Sequence, residues 1–155
     1  MKSQNFSRVF REKIKFYLKS IRKKHGKTCY ICLSGGLDST IIAYFASKIF
    51  KNLIAVTARF KYSSEKNILS EDMLIANKIS KELKISIINL FFNYEDIDKK
   101  INKILKASQD WRDYNVHCAT LNYFIAEELS KKNIINPVLT GDMMNEFCVD
   151  YKAET

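Results

Sequence analysis

At 155 residues, with 46% hydrophobic and 28% charged content, the chain is long enough for one domain with a proper core and has the balance of a soluble globular protein. No apolar run approaches a membrane span and no signal-like hydrophobic region follows the first basic residues, so membrane and secretory classes are excluded and a cytoplasmic location is expected. The formal charge of +9 sits wholly in residues 1–27, where ten Lys and Arg face Glu12 alone; the 16 basic and 16 acidic residues beyond it cancel, which argues against a body built to bind nucleic acid.

Taken in order, Phe6, Val9, Phe10, Ile14, Tyr17, Leu18 and Ile21 recur at three- and four-residue steps and predict an amphipathic helix ended by His25-Gly26, with its apolar stripe packed on the body. The other face carries Arg8, Arg11, Lys13, Lys15, Lys19, Arg22 and Lys23, and is either solvated or a surface for RNA or an acidic partner. Residues 1–27 are thus read as a basic appendage and 28–155 as the body. Thr28 to Leu33 is a near-continuous apolar run that suits a strand covered on both faces. Cys29 and Cys32 within it have redox or metal spacing, but residues three apart on a strand face opposite sides, so buried packing is the expected role; with Cys118 and Cys148 they are too scattered for a disulfide framework. After a polar turn, Ile41, Ile42, Phe45, Ala46 and Ile49 form a helix face that returns to the sheet. Leu53 to Ala58 is a second buried strand ending at Arg59, and Lys61 to Leu69 is a polar connection. Ser70 caps the next helix, with Glu71 and Asp72 in its first turn and Met73, Ala76, Ile79 and Leu83 on its buried face. Ile85 to Phe92 is the third strand, followed by a helix carrying Ile97, Ile101, Ile104 and Leu105. Residues 108–116, with Trp111, Arg112, Asp113 and Tyr114, are expected to form a loop at the active edge. A helix from about His117 then carries Leu121, Phe124, Ile125 and Leu129 and ends before Pro137, and Val138 to Thr140 is a short fourth strand. Repeated βαβ units with right-handed crossovers give an α/β fold, a parallel sheet with helices on both faces.

The turn Ser34-Gly35-Gly36-Leu37-Asp38-Ser39-Thr40 carries the chemistry. Two glycines let the backbone bend and bring its N–H groups close to an anion, and the following helix start adds unpaired donors and a partial positive charge. Ser34, Ser39 and Thr40 add hydroxyls. Asp38 would repel a bare phosphate unless Mg²⁺ lay between them; its alternative role is a plain helix-start carboxylate.

That string resembles the SGGxDS signature of the PP-loop ATP pyrophosphatases and lacks the GK[ST] ending of a Walker-type loop. A second segment, Thr140-Gly141-Asp142-Met143-Met144-Asn145-Glu146-Phe147-Cys148-Val149-Asp150-Tyr151, resembles the SGEGADELFGGY segment of asparagine synthetases and their β-lactam-forming relatives. Tyr114 to Tyr123 falls where those enzymes have a YD…RAST stretch, and the Phe6 to Ile21 helix matches the one before their first strand, so the resemblance covers nearly the whole chain. It implies a Rossmann-like three-layer sandwich of the adenine nucleotide alpha hydrolase-like kind, with strand order 3-2-1-4 and the ligand beyond the carboxyl ends of the strands.

The implied activity is that of an ATP-dependent C–N ligase: a carboxylate is activated as acyl-AMP with release of pyrophosphate, then transferred to an amine or ammonia. ATP and Mg²⁺ are the implied cofactors. The nucleotide would be held by Leu33, Ser34, Gly35, Gly36, Leu37, Asp38, Ser39 and Thr40, by Val56, Thr57 and Arg59 at the end of the second strand, and by Thr140 and Gly141 of the second loop. Arg59 reads equally as a rim arginine with no ligand. Asp38, Asp142 and Asn145 are the metal candidates, Asn145 standing where the family has a metal-binding aspartate. Asp38, Asp142, Glu146 and His117 are the catalytic candidates; a structural hydrogen bond is the alternative for Glu146 and for His117, which occupies the place of a family arginine near pyrophosphate. Met143 and Met144 replace small residues and narrow the pocket, so the acceptor is not expected to be plain aspartate. A helix alone precedes the first strand, so nitrogen is expected from ammonia, an amine substrate or a glutaminase partner. The short reach beyond the second motif points to an acceptor-enclosing partner or a homodimer. No nucleic-acid or membrane partner is expected. A tRNA-modifying PP-loop enzyme and a non-catalytic ATP-binding subunit are the alternative functions.

Overall fold

The computed structural model describes residues 2–109 and 111–141. The elements are α1 (Lys2–His25), β1 (Thr28–Cys32), α2 (Leu37–Ser47), β2 (Asn52–Lys61), α3 (Glu71–Glu82), β3 (Ser86–Asn93), α4 (Glu95–Ser108), α5 (Asp113–Lys131) and β4 (Val138–Leu139). The strands form one parallel sheet in the order β3-β2-β1-β4. The chain order therefore reverses between β1 and β4, and loops at the carboxyl ends of those two strands flank the crevice where open α/β sheets bind ligands.

β1 alternates its side chains between two cores. Cys29, Ile31 and Leu33 join Leu18, Ala43, Ala46, Phe50, Leu53 and Ala55 on one face, while Tyr30 and the half-buried Cys32 join Val56, Leu90, Ile125 and Leu129 on the other. The two cysteines point to opposite layers, as strand geometry requires. Burial pushes the Cys29 thiol up to about 11, so it is an inert packing group.

Four expectations need correction. The N-terminal stripe does not pack along its length: Ile14, Leu18 and Ile21 meet the core, but Val9 and Tyr17 are 51% and 61% exposed. A 24-residue helix is about 36 Å long, whereas the 11-residue α2 beside it spans about 16 Å, so α2 runs beside only part of α1. β2 runs on to Lys61, because pairing with β3 continues from Ile54↔Ser86 to Lys61↔Asn93. Lys61 is therefore a buried strand residue and not part of the connection; its ammonium donates to the Glu65 carbonyl at 2.9 Å. α5 starts at Asp113 and takes residues 113–116 of the 108–116 segment expected as a loop, which makes His117 a residue of its second turn. β4 ends at Leu139, leaving Thr140 just beyond it.

α4 and α5 are joined by an ion pair of Lys100 with Glu127, and the Lys100 ammonium also lies 4.5 Å from the centroid of Phe124. Among the described residues, no helix is long and apolar enough to cross a membrane.

Candidate functional site

The turn from β1 into α2 is held by its own hydroxyls. Ser39 is buried, and its Oγ donates to the Gly36 carbonyl at 3.2 Å while accepting from Ser34 N at 3.3 Å; the Ser34 and Ser39 hydroxyls are 3.0 Å apart. Thr40 Oγ1 donates to the Gly36 carbonyl at 2.6 Å. Leu33 is buried and its N–H donates to the Val56 carbonyl at 2.8 Å, so it anchors the turn to β2. These bonds fix the turn before any ligand arrives. Ser39 and Thr40 thus shape the cradle with the oxygens that sequence reasoning assigned to an anion.

The head of α2 has no side-chain cap among the described residues. Gly36 at the N-cap supplies no side-chain acceptor, whereas Ser70 caps α3 by accepting from Met73 N at 3.3 Å. Unpaired first-turn N–H groups and the helix dipole make that end of α2 a place for negative charge. Leu37 beside it, a large apolar side chain, is 73% exposed.

Two close approaches enclose the turn. Gly35 has φ +89°, and a Cβ there would lie 2.8 Å from the Asp72 carbonyl oxygen, so the turn rests on the first turn of α3. A Cβ on Gly141 would lie 2.9 Å from Ser39 N and 3.2 Å from Ser39 Cα. The second loop therefore enters against the head of α2, and Gly141 and Asp38–Ser39 share one spot. Thr140, one residue earlier, is exposed.

At the end of β2 the placements differ from expectation. Val56 and Thr57 are buried, and the Val56 carbonyl is taken by Leu33. β1 ends at Cys32, paired with Val56, so β2 continues for five residues, about 16 Å, with β3 on one side and the crevice on the other. By strand alternation the backbone groups of Ala58 and Phe60 face the side where β1 has stopped. The pairing register is what singles out these two at the end of β2. Arg59 is engaged within its own connection, donating to Glu65 Oε2 at 3.3 Å, to the Ile68 carbonyl at 3.2 Å and to the Phe60 carbonyl at 3.2 Å.

Asp38 stands half-exposed in the first turn of α2, and no hydrogen bond or ion pair with a described residue occupies its carboxylate. A hard, open oxygen donor beside free N–H groups fits Mg²⁺, which takes one or two carboxylates and fills its shell with phosphate oxygens and water. Among the described residues no three His, Cys, Asp or Glu side chains gather as a metal cage. Asp142, Asn145 and Glu146 lie outside the described residues. His117 is on the exposed side of α5 with its Nε2 3.8 Å from Asp113 Oδ1, and no hydrogen bond among the described residues ties it to the turn.

A family model for asparagine synthase matches residues 21–152. Among solved structures the chain is similar to the NMN synthetase from Francisella tularensis, with a TM-score of 0.58 and 17% identity over 94% of this chain and 58% of that one. At that identity the likeness is one of fold, and this chain spans little more than half the length of that structure. No curated protein matches the chain.

Proposed function

The chain belongs to the asparagine synthase family, and on that premise we propose that it is an ATP-using synthetase that activates a carboxylate as acyl-AMP and passes it to an amine or ammonia. The observation that carries this reading is the head of α2: a helix start with no side-chain cap, a glycine turn prefixed by its own hydroxyls, and an Asp38 carboxylate with no partner among the described residues, with Gly141 closing against them.

In the proposed reaction, a carboxylate oxygen attacks the α-phosphorus of ATP. The bond from that phosphorus to the α–β bridging oxygen breaks, and its electrons leave with pyrophosphate. An amine then attacks the acyl carbon and AMP departs. The residues of this chain bind and orient. First-turn N–H groups of α2 and the Ser34 hydroxyl take the β- and γ-phosphates, where charge grows as pyrophosphate leaves. The donors are fixed beforehand by the Ser39 and Thr40 bonds, so little reorganisation accompanies bond breaking. The Ala58 backbone N–H and carbonyl offer adenine a donor and acceptor edge. Asp38, with Asp142 or Asn145, would hold Mg²⁺, which supplies charge neutralisation on the phosphates. The acceptor is a small carboxylate other than plain aspartate, and its nitrogen comes from ammonia, an amine or a partner glutaminase.

ATP/pyrophosphate exchange with pooled amino acids and other carboxylates tests the reading. Exchange with one pool, lost in Asp38→Asn without loss of the fold by circular dichroism, is the expected result. MgATP binding with no exchange in any pool would overturn adenylation and leave a nucleotide-binding subunit.

A further inference from the structure

The connection between β2 and α3 is built more like a bracket than a loop. The Glu65 side chain accepts from Arg59 Nη2 and from Tyr62 N, both at 3.3 Å, and Glu65 N donates to the Tyr62 carbonyl at 2.9 Å. The Glu65 carbonyl takes the buried Lys61 ammonium at 2.9 Å. Ser63 N donates to Glu95 Oε1 at 3.1 Å, tying the connection to the start of α4. At the far end Arg59 Nη1 donates to the Ile68 carbonyl at 3.2 Å, two residues before the Ser70 cap of α3. The first turn of α3 then bears on Gly35, through the Asp72 carbonyl. A continuous line of contacts thus runs from Arg59 through residues 65–72 into the phosphate turn.

We propose that the Arg59–Glu65 pair is a positioning latch for the nucleotide site: it sets where α3 begins, and α3 in turn sets the backbone of Gly35 and Gly36. This rests on the ATP-binding reading above and gives Arg59 a role that needs no contact with the nucleotide. The pair is half-exposed, with side chains 30% and 46% accessible, so its worth to overall stability is small and its effect is local. Coupling is carried by backbone geometry, because Gly35 and the Asp72 carbonyl have no slack between them.

The test measures affinity for Mg²⁺ with a non-hydrolysable ATP analogue by calorimetry in wild type, Arg59→Glu, Glu65→Arg and the double exchange, together with thermal stability and amide exchange. Each single variant is expected to weaken binding by about fivefold or more and to speed exchange of the Tyr62, Ser63 and Ile68 amides, with the melting temperature little changed. The double exchange restores the ion pair and with it part of the lost affinity, but not the bonds to the Ile68 carbonyl and from Tyr62 N, which a glutamate at 59 cannot donate and an arginine at 65 cannot accept. If Arg59 touched the nucleotide directly, Glu65→Arg would leave affinity intact and the double exchange would stay weak, which overturns the latch. Single variants that bind as wild type, or that lose affinity only in step with global stability, overturn it too. A wild type that binds no nucleotide refutes the ATP reading instead, a result separate from any difference among the variants.

Discussion

Adjacent glycines in the phosphate turn are predicted to fail in opposite ways. At Gly35 the backbone has φ +89°, and an added methyl would lie 2.8 Å from the Asp72 carbonyl oxygen and 3.2 Å from both Cβ and Cγ2 of Ile75. None of these atoms can swing aside: α3 is capped by Ser70 and anchored by the buried Met73 and Ala76. Left-handed strain costs about 1–2 kcal/mol and overpacking about 1–3 kcal/mol, so Gly35→Ala is expected to lose about 2–5 kcal/mol. For a chain of this size that is a fall in melting temperature of about 5–15 °C. At Gly36 a Cβ meets only the Ser34 hydroxyl at 3.4 Å, and its φ of −74° is ordinary. Gly36→Ala should therefore change stability by no more than about 1 kcal/mol. Its methyl, however, stands in open space over the donors at the head of α2. Nucleotide affinity should fall at least about tenfold, or about 1.4 kcal/mol. Differential scanning calorimetry and calorimetric titration with MgATP read both quantities on both variants. A Gly35→Ala protein melting within about 2 °C of wild type, or a Gly36→Ala protein that binds nucleotide normally, would refute the geometry argued for this turn.

Gly141→Val should abolish nucleotide binding, since even a Cβ at 141 would lie 2.9 Å from Ser39 N; titration of the folded variant with MgATP checks this. Ser70→Ala removes the acceptor for Met73 N and should cost about 1 kcal/mol, seen as a lower urea midpoint with an unchanged slope. Cys29 gives the chain an alkaline limit. Its folded value, raised to about 11 from the ordinary 9.0, means the folded state keeps the proton that the unfolded state releases, so stability is fully present below pH 9.0 and is lost as pH rises toward 11. The loss attributable to this group is at most about 3 kcal/mol, and it should be absent from the pH–stability profile of Cys29→Ala. In the native protein the exposed Cys118 should react with a thiol reagent while the buried Cys29 does not, which mass analysis of the modified peptides reads.

Much of this protein was legible before any coordinate. The alternation of apolar strands with 3.6-period helix faces dictated the parallel α/β sheet, and Ser34 to Thr40 marked the phosphate turn, because local backbone freedom and a helix start are properties of contiguous residues. The 3-2-1-4 order came from the resemblance carried by the two motifs, and the sheet has that order. What tertiary structure decided depends on partners distant in the chain. β2 extends to Lys61 because β3 continues beside it, a fact of pairing that its polar last residues conceal. Arg59 is engaged by Glu65 and the Ile68 carbonyl, because the connection folds back over its own strand. Ile14, Leu18 and Ile21 of the α1 stripe are covered while Val9 and Tyr17 are exposed, since periodicity shows which face is apolar but not how far the neighbouring helix reaches. Gly141 lies against Ser39 across about a hundred residues of chain, a neighbourhood that follows from the 3-2-1-4 order implied by the resemblance, while the closeness of the approach is a fact of the packing of β4 beside β1.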